Sequence, residues 1–153
     1  MVRSNLIVQK VWPFIHLLFK GVSMEKEQRY WLVGASWDGV DHQDEKFVQN
    51  HIWMLGWSHE EDKTQFEAAK EIRVGDRIAI KRMKGRGSPL IAIKHIGIVK
   101  GVVEDNERVI CTVDWVCTHL NRDVPSKGCY ASVHGPFTRA HDSSEWLNEI
   151  FSL

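Results

Sequence analysis

The sequence predicts a single α+β domain. Runs of β-branched and aromatic residues with period-2 alternation point to strands, and shorter segments space their apolar residues as helices do. A length of 153 residues with 43% hydrophobic residues suits one core rather than two.

Residues 30–37 (YWLVGASW) form an aromatic, β-branched run ending in Asp38-Gly39, the pattern of a strand entering a turn. Residues 44–51 carry Phe47 and Val48 among polar neighbours, which predicts a short helix with an acidic first turn. Residues 52–57 (IWMLGW) are apolar enough to be buried. Residues 63–72 place Phe66, Ala69 and Ile72 on one helical face before Gly75-Asp76 breaks the pattern.

From Arg77 onward Ile78 and Ile80 alternate with Arg77, Ala79 and Lys81, predicting a strand with one buried face and a cationic one. A Gly-rich basic loop (MKGRGSP, 83–89) follows, then a long β-type run at 90–103 with Gly97 and Gly101 as bulge positions. Asp105-Asn106 signals a hairpin turn. Residues 108–117 alternate again, with Val109, Cys111, Val113 and Trp115 on one parity. Residues 119–127 read as a polar connection, 130–134 as a last short strand, and 142–151 as a terminal helix capped by Ser143.

Formal charge is zero, yet it is segregated. Asp38 to Glu71 is acidic, whereas Arg77 to Lys100 is basic, so a neutral total is compatible with a positive face as well as with two solvated surfaces. The odd count of three cysteines, without paired spacing, predicts free thiols and a reducing, cytoplasmic setting. The apolar residues before Met24 are interrupted by Gln9, Lys10, Pro13 and His16, too broken for a membrane span. Residues 1–23 read as an N-terminal extension, an upstream-start artefact or a packing segment, ahead of one domain at 24–153.

Taken in order, YWLVGASWDG, HIWMLGW, IRVGDRIAIKR, IKHIGIVKGVVED and VDWV resemble the EVE-like branch of the PUA superfamily, in particular the modified-base-binding modules that accompany McrB-type restriction systems. The resemblance covers residues 30–116. It implies a PUA-like, EVE-like mixed β pseudo-barrel with short flanking helices. It further implies a non-catalytic partner of DNA or RNA that holds an extruded, modified base in an aromatic pocket, alone or with an effector protein. No cofactor, metal or membrane is implied.

A base offers two π faces and a hydrogen-bonding edge, so its capture needs aromatic walls and a few polar groups. Among the seven tryptophans, Trp37, Trp53, Trp57 and Trp115 are the candidate walls, with core packing the competing role for Trp53. Ser36 and Asp38 either read the base edge or cap the local turn. By the resemblance Lys81 and Arg82 stand on the pocket rim, where the commoner EVE pattern has an aromatic and a small polar residue. Lys84, Arg86 and Lys94 are the candidate phosphate contacts.

Two other functions are compatible with the chain. Exposed aromatics can form a protein-interaction or regulatory patch, and related ASCH-type members include nucleases. A catalytic site would draw on His95, His119, His134 and His141 with Cys117 and Cys129 for metal or acid-base chemistry, but their spacing supports no specific site, and neither a zinc-deaminase signature nor a P-loop nor a Gly-x-Ser-x-Gly motif occurs.

Overall fold

The computed structural model describes residues 26–153, so the extension at 1–23 lies outside the described residues. The strands are β1 (Tyr30–Gly34), β2 (Ser36–Trp37), β3 (Asp41–His42), β4 (Ile52–Met54), β5 (Arg77–Met83), β6 (Leu90–Glu104), β7 (Val109–Cys117), β8 (Arg122–Pro125) and β9 (Val133–Phe137). The helices are α1 (Asp44–Gln49), α2 (Lys63–Lys70) and α3 (Ser144–Phe151). The α+β expectation is met by a seven-stranded mixed sheet of order β4-β7-β6-β5-β1-β9, with β8 also paired to β6.

One contact fixes where the parallel part of the sheet begins. The buried Asp76 carboxylate, in the Gly75-Asp76 turn before β5, accepts from Trp31 Nε1 at 2.7 Å and from the Arg73 backbone N–H at 3.0 Å. Arg29 Nε stands 3.6 Å from the same oxygen, and the Asp76 carbonyl accepts from Val99 N. Asp76 thereby ties β1, the α2–β5 turn and β6 together as β1 and β5 pair in parallel from Tyr30↔Arg77 onward.

Fifteen residues long, β6 organises the rest. Along one side it pairs with β5; along the other its first residues pair with β8 and its later ones with β7. Changes of partner need local bends, and the register shifts fall at Ile96/Gly97 and Val99/Gly101, at the two glycines expected to bulge. A Cβ at Gly97 would lie 2.4 Å from Val113 Cγ1.

Both faces of the sheet are covered. One core cluster draws Trp53, Val113, Val99, Ile78, Trp31 and Val133 from six strands and packs them with Phe66 and Ala69 of α2. The opposite face buries Leu32, Ala79, Ile93 and Val124 under Trp146, Leu147 and Ile150 of α3. Ser143 Oγ caps α3 by accepting from Trp146 N, as expected, and Asp62 does the same for α2 through Gln65 N.

This second core corrects the reading of β5. Its other face is buried rather than cationic, with Ala79 at 0% and Lys81 at 4% exposure, because α3 and the 126–134 segment cover it. Burial drives the Lys81 ammonium down to about 8. Strand β8 occupies part of the stretch read as a polar connection, and β9 begins three residues later than the last short strand placed at 130–134.

Two outcomes follow. Asp76→Ala, which strands two buried N–H donors and the Arg29 charge, should cost about 3 kcal/mol or more in urea unfolding. The unfolded chain binds more protons at position 81 between about pH 8 and the ordinary lysine value, so stability should rise with pH across that window. Lys81→Met should accordingly raise stability at pH 7, by on the order of 1 to 3 kcal/mol, in thermal or chemical melts.

Candidate functional site

Two recesses flank the β2–β3 hairpin. Its turn runs through Asp38 (φ 51°) and Gly39 (φ 75°), with Val40 N donating to the Trp37 carbonyl, a tight turn that only residues tolerant of positive φ can make. Because the turn follows directly on β2, Ser36, Trp37 and Asp38 are delivered together to the hairpin tip. Ser36 lines one recess and its cross-strand partner His42 the other, the two joined by a 2.6 Å hydrogen bond between Ser36 Oγ and His42 Nδ1.

The first recess, about 250 Å³, is lined by Ser36, Trp37, Asp38, Trp57, Glu61 and Ser132, together with Gly34, Leu55 and Gly56. Trp57, 39% exposed, is held by donation from Nε1 to Ser132 Oγ at 3.0 Å. Trp37 packs edge-on to Phe47 and rests on Gly56, where a Cβ would stand 2.7 Å from the indole. Among the described residues the indole N–H groups of Trp31, Trp53, Trp57, Trp115 and Trp146 have acceptors, and that of Trp37 has none. Glu61 accepts from Ser58 N at 2.8 Å, a bond that holds its carboxyl below the usual range. A larger groove of about 1120 Å³ continues from this recess past Glu60, Glu67, Glu104 and Asp105, so the aromatic site opens onto negative charge.

The second recess, about 510 Å³, is lined by His42, Asp44, Arg82, Lys94, His95 and His119, among others. Arg82 Nη2 donates to both Asp44 oxygens, at 2.8 and 2.9 Å. His95, fully buried, accepts at Nδ1 from the His119 backbone N–H at 3.0 Å, which places its proton on Nε2, 3.2 Å from Asp44 Oδ2. Burial pushes the His95 imidazole below its usual value against the pull of Asp44. Burial alone would raise Asp44, but the Arg82 charge and the His95 bond outweigh it and hold the carboxyl low. Asp44, Glu45 and His95 bring metal-type ligand atoms within 4.8 Å of one another. Arg82 already occupies both Asp44 oxygens, and its charge opposes a cation there.

The structure thus gathers Ser36, Trp37, Asp38 and Trp57 into one recess and separates them from the cations expected on its rim. Lys81 is in the second core, and Arg82 and Lys94 line the other recess. Trp53 is a core residue with no exposed surface, its Nε1 bonded to the Gly34 carbonyl. Trp115 packs between α1 and His95, donating to the Phe47 carbonyl. Lys84 is ion-paired with Asp123, and Arg86 stands exposed on its loop. Glu61, Ser132 and the pairing of Asp44 with His95 escaped the sequence reading, which had His95 only among the histidines open to a metal or acid-base site. Each is brought in from a distant segment, and only the helix-start pattern at Asp44 hinted at any of them.

No family model matches the chain, and no curated protein matches it either. Among solved structures it aligns with the YTH domain of the Zygosaccharomyces rouxii MRB1 protein in complex with N6-methyladenosine RNA, at 18% identity and a TM-score of 0.35, covering 65% of this chain. The alignment spans 63% of that chain, less than two-thirds of its length. A likeness of that degree carries no functional weight. Among the described residues no helix is long and apolar enough to cross a membrane.

Because His95 is held neutral, the unfolded chain binds more protons than the folded one as pH falls through about 6.5. Stability present above that value should be lost on acidification, and Asp44 extends the loss to lower pH. Melting temperature should fall between about pH 7.5 and pH 5. His95→Gln should flatten that slope without abolishing it, since the similarly depressed His134 titrates in the same sense.

Proposed function

We propose that this chain is a non-catalytic nucleic-acid-binding module of the EVE-like kind, which holds one modified base between Trp37 and Trp57 and steadies the neighbouring phosphates at Arg82 and Lys94. The observation that carries the reading is the meeting of two partly exposed indoles with Ser36 and Asp38 in a recess of about 250 Å³. That volume admits a single ring system rather than a stack. Stacking contributes about 1 to 3 kcal/mol per base, which offsets much of the few kcal/mol needed to extrude it from a helix.

The second recess supplies what the first lacks. Asp44 holds the Arg82 guanidinium in place through one nitrogen, leaving its other N–H groups for an anion, and Lys94 lines the same hollow. Catalysis fits less well, because both ring nitrogens of His95 are committed to structural hydrogen bonds and leave it no proton to move. The acidic groove beside the aromatic recess favours one other occupant, a basic protein segment, which competition with oligonucleotides distinguishes.

Trp57→Ala and Trp37→Ala should each remove discrimination between modified and unmodified oligonucleotides, a loss of about 1 to 3 kcal/mol in anisotropy titrations. Circular-dichroism melts should show Trp57→Ala folded, since that ring is the more exposed. Lys94→Ala should weaken all sequences alike and reduce the salt slope by about one. Discrimination that survives in both folded tryptophan variants would overturn the assignment.

A further inference from the structure

The charges around the aromatic recess narrow what its base can be. Its two acidic residues, Asp38 and Glu61, come from different segments, and among the described residues no lysine or arginine lines it. Asp38 stands exposed at the hairpin tip, and Glu61 is oriented by its bond from Ser58 N. Carboxylates only accept hydrogen bonds, so a base presenting carbonyl oxygens or bare ring nitrogens toward them meets repulsion, whereas N–H groups are bonded. Indole faces are electron-rich and attract a cation laid over them. The groove beyond sets Glu60, Glu67, Glu104, Asp105 and Glu107 against Lys70 and Arg108, a net negative lining that makes this mouth a poor place for phosphate.

We infer that the base read between Trp37 and Trp57 is a cationic one, a purine or pyrimidine made basic enough by alkylation of a ring nitrogen to carry a positive charge at neutral pH, with Asp38 and Glu61 as its counter-charges. This rests on the base-holding role proposed above and names the chemical class of its ligand. The positive ring gains three contributions that a neutral isomer lacks: cation–π attraction to both indoles, attraction to the two carboxylates, and stronger hydrogen bonds from exocyclic N–H groups made more polar by the charge. The backbone of the same nucleotide leaves over the β2–β3 hairpin toward Arg82 and Lys94, away from the acidic groove.

Isomeric nucleosides isolate the charge, because they differ in the position of one methyl group and carry no phosphate. The pairs are N1-methyladenosine with N6-methyladenosine, and 3-methylcytidine with 5-methylcytidine, the first of each being cationic. Titrated into the full chain and followed by tryptophan fluorescence and calorimetry, the cationic member should bind about tenfold tighter or more. Asp38→Asn, tolerated at positive φ, and Glu61→Gln, which still accepts from Ser58 N, should each lower affinity for the cationic member more than for its neutral isomer and so erode the preference. Equal or tighter binding of the neutral isomers would overturn the inference and leave base-holding intact. Binding of no nucleoside, with a trimethyllysine peptide bound in a manner sensitive to the same two substitutions, would overturn both.

Discussion

The buried carboxylate of Asp76 is the constraint on which the fold turns. A single oxygen receives the Trp31 indole and the Arg73 backbone N–H, and faces Arg29, while the same residue's carbonyl meets Val99. Parallel strands cannot be joined by a tight turn, so the register of β1 against β5 must be set by something other than their connection. Asp76 supplies it. Once β1 and β5 are in register, Gly34 and Lys81 are opposed, β9 follows along β1, and Ser132 arrives where its hydroxyl can hold Trp57. The aromatic recess therefore depends on a buried polar contact in the turn that opens β5, outside its own lining.

The site itself is built by a short hairpin acting as a partition. Ser36, Trp37 and Asp38 belong to one strand end, so their mutual placement is set locally by the Asp38-Gly39 turn. Trp57, Glu61 and Ser132 come from elsewhere and depend on the sheet. Gly56 mediates between the two groups: lacking a Cβ, it lets the Trp37 ring lie against the backbone that leads to Trp57. On the other side Asp44 performs a different task, compensating Arg82 electrostatically while keeping His95 in one tautomer.

Elements with strong local signals were legible in the sequence. The alternation of residues 108–117 placed β7, Gly97 and Gly101 marked the bends of β6, and Ser143 marked the start of α3. The failures have a common physical origin. Lys81 looked like an exposed cation because alternation reports one buried face and is silent about a second layer packed on the other. Trp53 and Trp57 looked equivalent in IWMLGW, yet Trp53 pairs with Cys111 within the β4–β7 ladder, while Trp57 lies beyond the strand and leaves the core. Of the site, the stretch Ser36-Trp37-Asp38 was readable because it is contiguous. Glu61, Ser132 and the joining of Asp44 to His95 were not, since nothing local announces which distant residue will stand opposite.

Zero net charge conceals a molecule with polarity. An acidic groove lies on one side of the β2–β3 partition, and on the other a recess in which Arg82 and Lys94 are matched by Asp44 and Glu45. A uniformly basic protein attracts a nucleic acid in any orientation and slides along it. An acidic face repels a phosphate chain, so under the proposed function a strand would approach from the side of Arg82 and Lys94 and not along the groove. Association would be slower than for a strongly cationic domain and more discriminating about the direction in which a strand is threaded. Specificity would then begin at the encounter, before either indole touches its ligand.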